Sequence, residues 1–273
     1  MYEPIYSPSM RESLIDGTRF GVLRENSYVK VGDPDIEPLH IHEYAEIFFN
    51  VSSDVSFLIN NSLYPVRPGE AVLSRANELH VCIYNSSGEH SYFCLWIDAP
   101  EESPLLEFLK RHEDSPLFEF DPEDREQLFS HLESIVDAKS RLEQNAAFLG
   151  VLALLDKTVE NTRASKKLPD GLQKILDDLH EHFFEIKGVG EIADKHFVST
   201  ATLNRWFRKY IHSSPREYLE SLRLSHAAKL LTNGESVTEA CMRAGFSDCS
   251  HFIALFKKKF GETPLKYKQR YTQ

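Results

Sequence analysis

The chain has 273 residues, 41% of them hydrophobic, enough for two modest packed domains. A formal net charge of −11 argues against a nucleic-acid binder taken as a whole, yet residues 171–273 hold 16 Lys+Arg against 12 Asp+Glu, while residues 1–170 carry −15. The longest apolar run, Ala146–Leu155, is ten residues, too short for a bilayer, and "MYEPIYSPSM" lacks the basic start and apolar core of a secretory leader. The expectation is a cytoplasmic protein with no membrane partner. Cys82, Cys94, Cys241 and Cys249 form no C-x-x-C pair, so reduced, packed thiols are expected.

The first hundred residues read as β-structure. "AEIFFNVS", "DVSFLIN", "EAVLS" and "HSYFCLWID" are rich in Val, Ile, Phe and Tyr, with turns at Asn60–Ser62 and Arg67–Gly69. Their spacing suits a small antiparallel barrel or sandwich. From about Pro100 the pattern becomes helical. Asp121 caps a helix with Pro122 at its first position and Leu128, Leu132, Ile135 and Val136 on one face. A second helix over about Leu142–Val159 is apolar nearly all round, so it is expected to pack on the barrel and on a second subunit. "RASKKLPDG" (Arg163–Gly171) then reads as a linker.

The last hundred residues read as all-helical. Leu172, Ile175, Leu176, Leu179 and Phe183 make one stripe. Short helices follow, capped at Ser199, at Ser214 with Pro215 and Glu217, at Ser236 with Glu239, and at Asp248. One device occurs twice. At an offset of 49, Phe207 falls on Phe256, Arg208-Lys209 on Lys257-Lys258, Pro215 on Pro264 and Tyr218 on Tyr267. Upstream the offset is 48, pairing Ala193 with Cys241, so the extra residue lies in the second turn. This layout predicts two helix-turn-helix units. On the first, Ala201, Asn204, Arg205 and Arg208 share a face. Asn204 can pair with adenine and Arg205 with guanine, while Arg208 lies further along, towards phosphate. On the second, Ser250, Ile253, Ala254 and Lys257 share the corresponding face. Ser250 or His251 could donate one bond, Ile253 could touch a thymine methyl, and Lys257–Lys259 should meet phosphate. The alternative for each face is an ordinary solvated helix surface.

Residues 171–273 resemble the DNA-binding domain of the AraC/XylS family of bacterial transcription regulators. The telling stretches are "EIADKHFVSTATLNRWFRKY", "REYLESLRLSHAAKLL" and "AGFSDCSHFIALFKKKFGETPLKY". The resemblance implies a DNA-reading set of Thr200, Ala201, Asn204, Arg205, Arg208, Ser250, His251, Ile253, Lys257 and Lys258. Members usually carry arginine where this chain has Ala254, so base reading by the second unit is in doubt.

In "LHIHEYAEIFF", His40, His42 and Glu46 stand at even positions of an expected strand, and His80 follows later. H-x-H-x-x-x-E with a distant histidine resembles the metal motif of cupins, and the front half resembles the cupin-type sensor of AraC-family regulators. The four residues are expected to line an effector pocket. No cofactor is required, with a divalent metal in the barrel as the alternative. "GVGEIA" (Gly188–Ala193) follows a helix rather than a strand, so it is no dinucleotide loop.

The expected fold class is α+β. A cupin-like effector-sensing β-barrel spans 1–100, a helical hairpin for dimerisation 101–162, a linker 163–171, and an all-α double helix-turn-helix domain 172–273. The expected function is a non-enzymatic transcription regulator under a small-molecule effector, a sugar or related metabolite by family habit. Its expected partners are double-stranded promoter DNA, a second copy of itself and, for an activator, RNA polymerase. A metal-dependent cupin enzyme and a constitutive DNA binder with a vestigial sensor are the rival readings.

Overall fold

The computed structural model describes residues 10–31, 39–100, 102–110, 112, 115–158 and 168–271. The start of the chain and residues 163–167 of the expected linker lie outside them. Among the described residues there are nine strands, the last of them after the first short helix: β1 (Arg11–Glu12), β2 (Arg19–Val29), β3 (Ala45–Asn50), β4 (Val55–Ile59), β5 (Ser62–Val66), β6 (Ala71–Ser74), β7 (His80–Tyr84), β8 (Gly88–Asp98) and β9 (Leu117–Phe118). They form a six-stranded sheet, β1-β2-β8-β3-β6-β9, and a three-stranded sheet, β5-β4-β7, antiparallel throughout. The barrel expectation is corrected here. Among the described residues no ladder joins the sheets, and they close on each other through side chains.

The helices are α1 (Glu107–Lys110), α2 (Pro122–Asp137), α3 (Arg141–Lys157), α4 (Asp170–His182), α5 (Val189–Lys195), α6 (Thr200–Tyr210), α7 (Pro215–Thr232), α8 (Val237–Arg243), α9 (Cys249–Phe260) and α10 (Pro264–Tyr271). The sequence dictates their ends. Asp121, Ser199 and Asp248 accept backbone N–H bonds at the starts of α2, α6 and α9. Ser140–Glu143, Ser214–Glu217 and Ser236–Glu239 form reciprocal capping boxes on α3, α7 and α8. No described helix is long and apolar enough to cross a membrane.

Four layers stack on one another. Leu128, Leu132 and Ile135 of α2, with Phe148, Val151 and Leu155 of α3, pack on Ile47, Phe49, Leu73, Phe93 and Leu95 of the large sheet. Val136, expected on that stripe, is instead 44% exposed. The other face of the large sheet, through Phe48, Val72 and Trp96, meets Val55, Phe57 and Ile59 of the small sheet. The far face of the small sheet, through Leu58, Leu63, Val81 and Ile83, packs into one hydrophobic cluster with the C-terminal helices. Strands β3 and β4 are accordingly buried at every position.

Cys241 and Cys249 are joined as a disulfide with Cα atoms 5.9 Å apart, which corrects the expectation of reduced thiols. The turn between α8 and α9 folds the start of one helix back beside the other. Cys82 and Cys94 are outside any disulfide.

Candidate DNA-reading faces and a buried histidine cluster

The two C-terminal units are built alike. Leu203 and Phe207 of α6 are fully buried, as are Phe252 and Phe256 of α9. Phe207 meets Tyr218 edge-on at 5.5 Å between ring centroids, and Phe256 meets Tyr267 edge-on at 5.2 Å. These are the pairs that the sequence offset superimposes. Helix α7, spanning about 27 Å at 1.5 Å per residue, joins the units. Arg223 of α7 fixes their relation. Its guanidinium donates to the carbonyls of Phe183 and Ile186 and lies 5.8 Å from the ring of Phe246, in the turn of the second unit. Gly245 in that turn has φ +81°, and a Cβ there would stand 2.6 Å from the Phe184 backbone.

Burying Leu203 and Phe207 turns the opposite face of α6 outwards. Thr200, Ala201, Arg205 and Arg208 are exposed and Asn204 is half-buried. The Asn204 amide donates to the Thr200 carbonyl at 2.7 Å, which engages one of its two N–H groups. On α9, Ser250, His251, Ile253, Lys257 and Lys258 are exposed, and Asp248 holds the amides of Ser250 and His251. The structure thus places every DNA-reading residue expected from sequence on one of two outward helix faces. Lys259 is the exception within the lysine run. It turns back to donate from Nζ to the Leu39 carbonyl at 3.0 Å, so it faces the sheets and not a phosphate. Phe197, at φ 54° in the turn before α6 and 97% exposed, was not singled out in the sequence. Gly245 holds the matching place in the second unit.

The second constellation lies between the sheets. His40, His42, Glu46 and His80 each offer one ligand atom, and these atoms lie within 4.8 Å of one another. His40 and His80 form a backbone bridge, donating to each other's carbonyls at 3.0 Å. His42 donates from Nδ1 to the Tyr44 carbonyl at 2.8 Å, and His80 from Nδ1 to the Glu78 carbonyl at 2.9 Å. Each ring therefore turns Nε2 into the cluster. Nε2 of His42 reaches Glu46 at 3.1 Å, whereas Nε2 of His80 is buried with no hydrogen-bond partner. Burial, then the neighbouring His42, pushes His80 down to about 4. Desolvation, with His80 beside it, holds His40 well below the ordinary histidine value. Burial works against the Glu46 carboxylate, but the His42 hydrogen bond and the three surrounding histidines together outweigh it and keep the group ionised, and Trp96 Nε1 donates to it at 2.7 Å. His40 and His80 in their neutral form, beside an ionised carboxylate, are in the protonation states that ligate a divalent ion.

A family profile described as "Helix-turn-helix domain" matches residues 192–270. The chain is 32% identical over 152 residues to the HTH-type transcriptional activator RhaS of Escherichia fergusonii, covering 52% of each chain. It is 33% identical over 147 residues to RhaS of Citrobacter koseri, again covering 52% of each. The chain thus spans about half the length of the curated relatives it matches. Among solved structures, an apo form of a ToxT point variant from Vibrio cholerae is similar over 96% of this chain and 100% of its own, at 15% identity and a TM-score of 0.39. The DNA-binding domain of AdpA, solved with a target DNA, is 29% identical over 38% of this chain and 94% of its own, with a TM-score of 0.36. Superpositions this loose carry no residue-level argument.

Proposed function

Because the C-terminal domain is a helix-turn-helix domain of the AraC/XylS family, we propose that the whole chain is a DNA-binding transcription regulator controlled by a small effector. The observation that carries this reading is the pair of outward faces on α6 and α9, held at fixed relation by α7 and Arg223. Two such helices can enter successive major grooves on one face of a duplex, about 34 Å apart. Arg205 reads a guanine, Asn204 an adenine, and Arg208, Lys257 and Lys258 meet phosphates. The protein is a binder and not an enzyme, and an activator of this design would also touch RNA polymerase.

The N-terminal sheets serve as the sensor, with His40, His42, Glu46 and His80 lining its effector site. Helix α3 supplies the seam for a second copy. Leu142, Ala146, Leu149 and Ala153 recur on it at spacings of four, three and four, and all are exposed. Selecting bound duplexes from random DNA tests the reading. Wild type should enrich a motif of about two helical turns, and Arg205→Ala should blur one side of it. Salt-sensitive binding without any motif would overturn it.

One observation favours a divalent ion over a sugar as the ligand of the sensor site. Phe48 packs on Phe57 at 4.8 Å and on Tyr92 at 4.7 Å, filling the space between the sheets beside the cluster. An ion held by the cluster would give the buried His80 Nε2 a partner. His40, His42, Glu46 and His80 would hold it, and it would supply fixed charge and geometry.

A further inference from the structure

The histidine cluster and the reader domain lie on opposite faces of the same two chain segments. Strand side chains alternate between faces, so neighbours cannot move independently. In residues 39–42, His40 and His42 turn into the cluster, while Leu39 and Ile41 pack in the hydrophobic cluster shared with the C-terminal helices. In residues 79–83, His80 turns inwards, while Leu79, Val81 and Ile83 pack with those helices.

The reader's hydrogen bonds land on the same backbone. Lys259 of α9 donates to the Leu39 carbonyl at 3.0 Å, next to His40. Ser225 of α7 donates to the Asn77 carbonyl at 2.5 Å, and the Tyr267 hydroxyl of α10 donates to the Asn77 side chain at 3.2 Å. Asn77 in turn donates its N–H to the His42 carbonyl at 2.7 Å. The β4–β5 turn adds a further anchor. The Tyr218 hydroxyl donates to the Asn60 carbonyl at 2.7 Å, and Asn61 donates to Asp177 of α4 at 2.8 Å. Arg270 and Glu43 pair at the edge.

We infer that filling the histidine cluster tightens the docking of the reader domain on the small sheet, through the two segments 39–42 and 77–83 that carry ligands on one face and reader contacts on the other. This rests on the reading of the cluster as a ligand site. The direction follows from the geometry. Ligation satisfies the orphaned His80 Nε2 and draws the two segments together, fixing the carbonyls and apolar side chains that the reader grips. By linkage, docking must strengthen ligand binding by the same factor. Docking leaves the outward faces of α6 and α9 open, so it acts by setting where the reader stands relative to the sensor.

The test is calorimetric titration of the full chain with zinc. Wild type should bind one ion per chain, and His40→Ala should abolish that binding. Lys259→Met removes the bond to Leu39 and, with it, a positive charge close to the cluster. Loss of that charge alone would tighten a cation, whereas loss of docking must weaken it, by about fivefold for a coupling at the low end of the usual range. Ser225→Ala, neutral and conservative, should weaken zinc in the same direction and decides the matter should Lys259→Met fail to fold. Unchanged or tighter binding in folded variants would overturn the inference and leave the site intact. A wild type that binds no zinc would sink the site reading and the inference together.

Discussion

The two helix-turn-helix units share caps, core pairs and turn geometry, and they differ in what holds them. The first turn places Phe197 in the left-handed region with its ring almost wholly in solvent, and α6 presents Asn204, Arg205 and Arg208. The second uses Gly245 in the equivalent place, pressed on the Phe184 backbone, adds the Cys241–Cys249 link, and ties α9 to the sheets through Lys259. Its outward face offers Ser250, Ile253, Ala254 and Lys257. A duplicated unit has thus divided two tasks that a single helix could not combine. Both copies touch the small sheet through their paired tyrosines, but one keeps side chains suited to base edges, and the other, tied to the sheets by Lys259 as well, is left with contacts suited to the DNA backbone.

The largest expected effect that separates them is on stability. Gly245→Ala adds left-handed strain and a Cβ against backbone, and should cost about 3 kcal/mol in urea unfolding. A loss below about 1 kcal/mol would show that the close approach is relaxed in solution. Next comes DNA affinity. Arg205→Ala should weaken operator binding about 10- to 100-fold and relax selectivity at one position, as expected for loss of a bidentate base contact. Lys257→Ala should instead weaken all sequences alike and reduce the salt slope by about one. Equal effects of the two on selectivity would erase the distinction between the units. Phe197→Gly should stabilise the fold by about 0.5–1 kcal/mol, since it relieves strain and removes no packing. A loss of operator affinity without loss of stability would instead give that exposed ring a part in binding.

The smallest effect concerns the first unit's support. Lys195 and His196 at the end of α5 bond to Asp178 of α4. Burial works against the Asp178 carboxylate, but these bonds outweigh it and hold its pKa below the usual range. Its stabilisation is therefore full at neutral pH and is lost as pH falls through the lowered folded value. Asp178→Asn should cost about 1 kcal/mol or less at pH 7, and the two proteins should converge in stability at pH values below about 4. A gap that persists in acid would mean that the charge is not the cause.

Much of the C-terminal half was legible because its signals are local. Caps, capping boxes and the offset of 49 lie within a few residues of the structure they specify, and so do the residues of the outward faces. The histidine cluster was legible for a related reason, since period-two alternation aims His40, His42 and Glu46 one way. The sheets were read as a barrel because strand pattern reports pleat and not closure. The docking face was present but unread. "DVSFLIN" and "HVCIY" are apolar at odd and even positions alike, the mark of strands covered on both sides. Nothing local names what covers the second side, because Asn77 and Tyr267, or Leu39 and Lys259, are about two hundred residues apart. The Cys241–Cys249 link was missed because only the folded turn brings its ends together.

The C-terminal helices are attached to the sheets in two ways, by packing and by the covalent chain. Ten residues, 158–167, join the end of α3 to Leu168. A reader that leaves the small sheet stays on the same covalent chain. Docking is then a unimolecular equilibrium whose balance dilution cannot change, whereas the proposed seam between two copies along α3 would fall apart as the protein becomes scarce. The abundance of the chain would set how many pairs exist, and the ligand alone how many readers within them are seated.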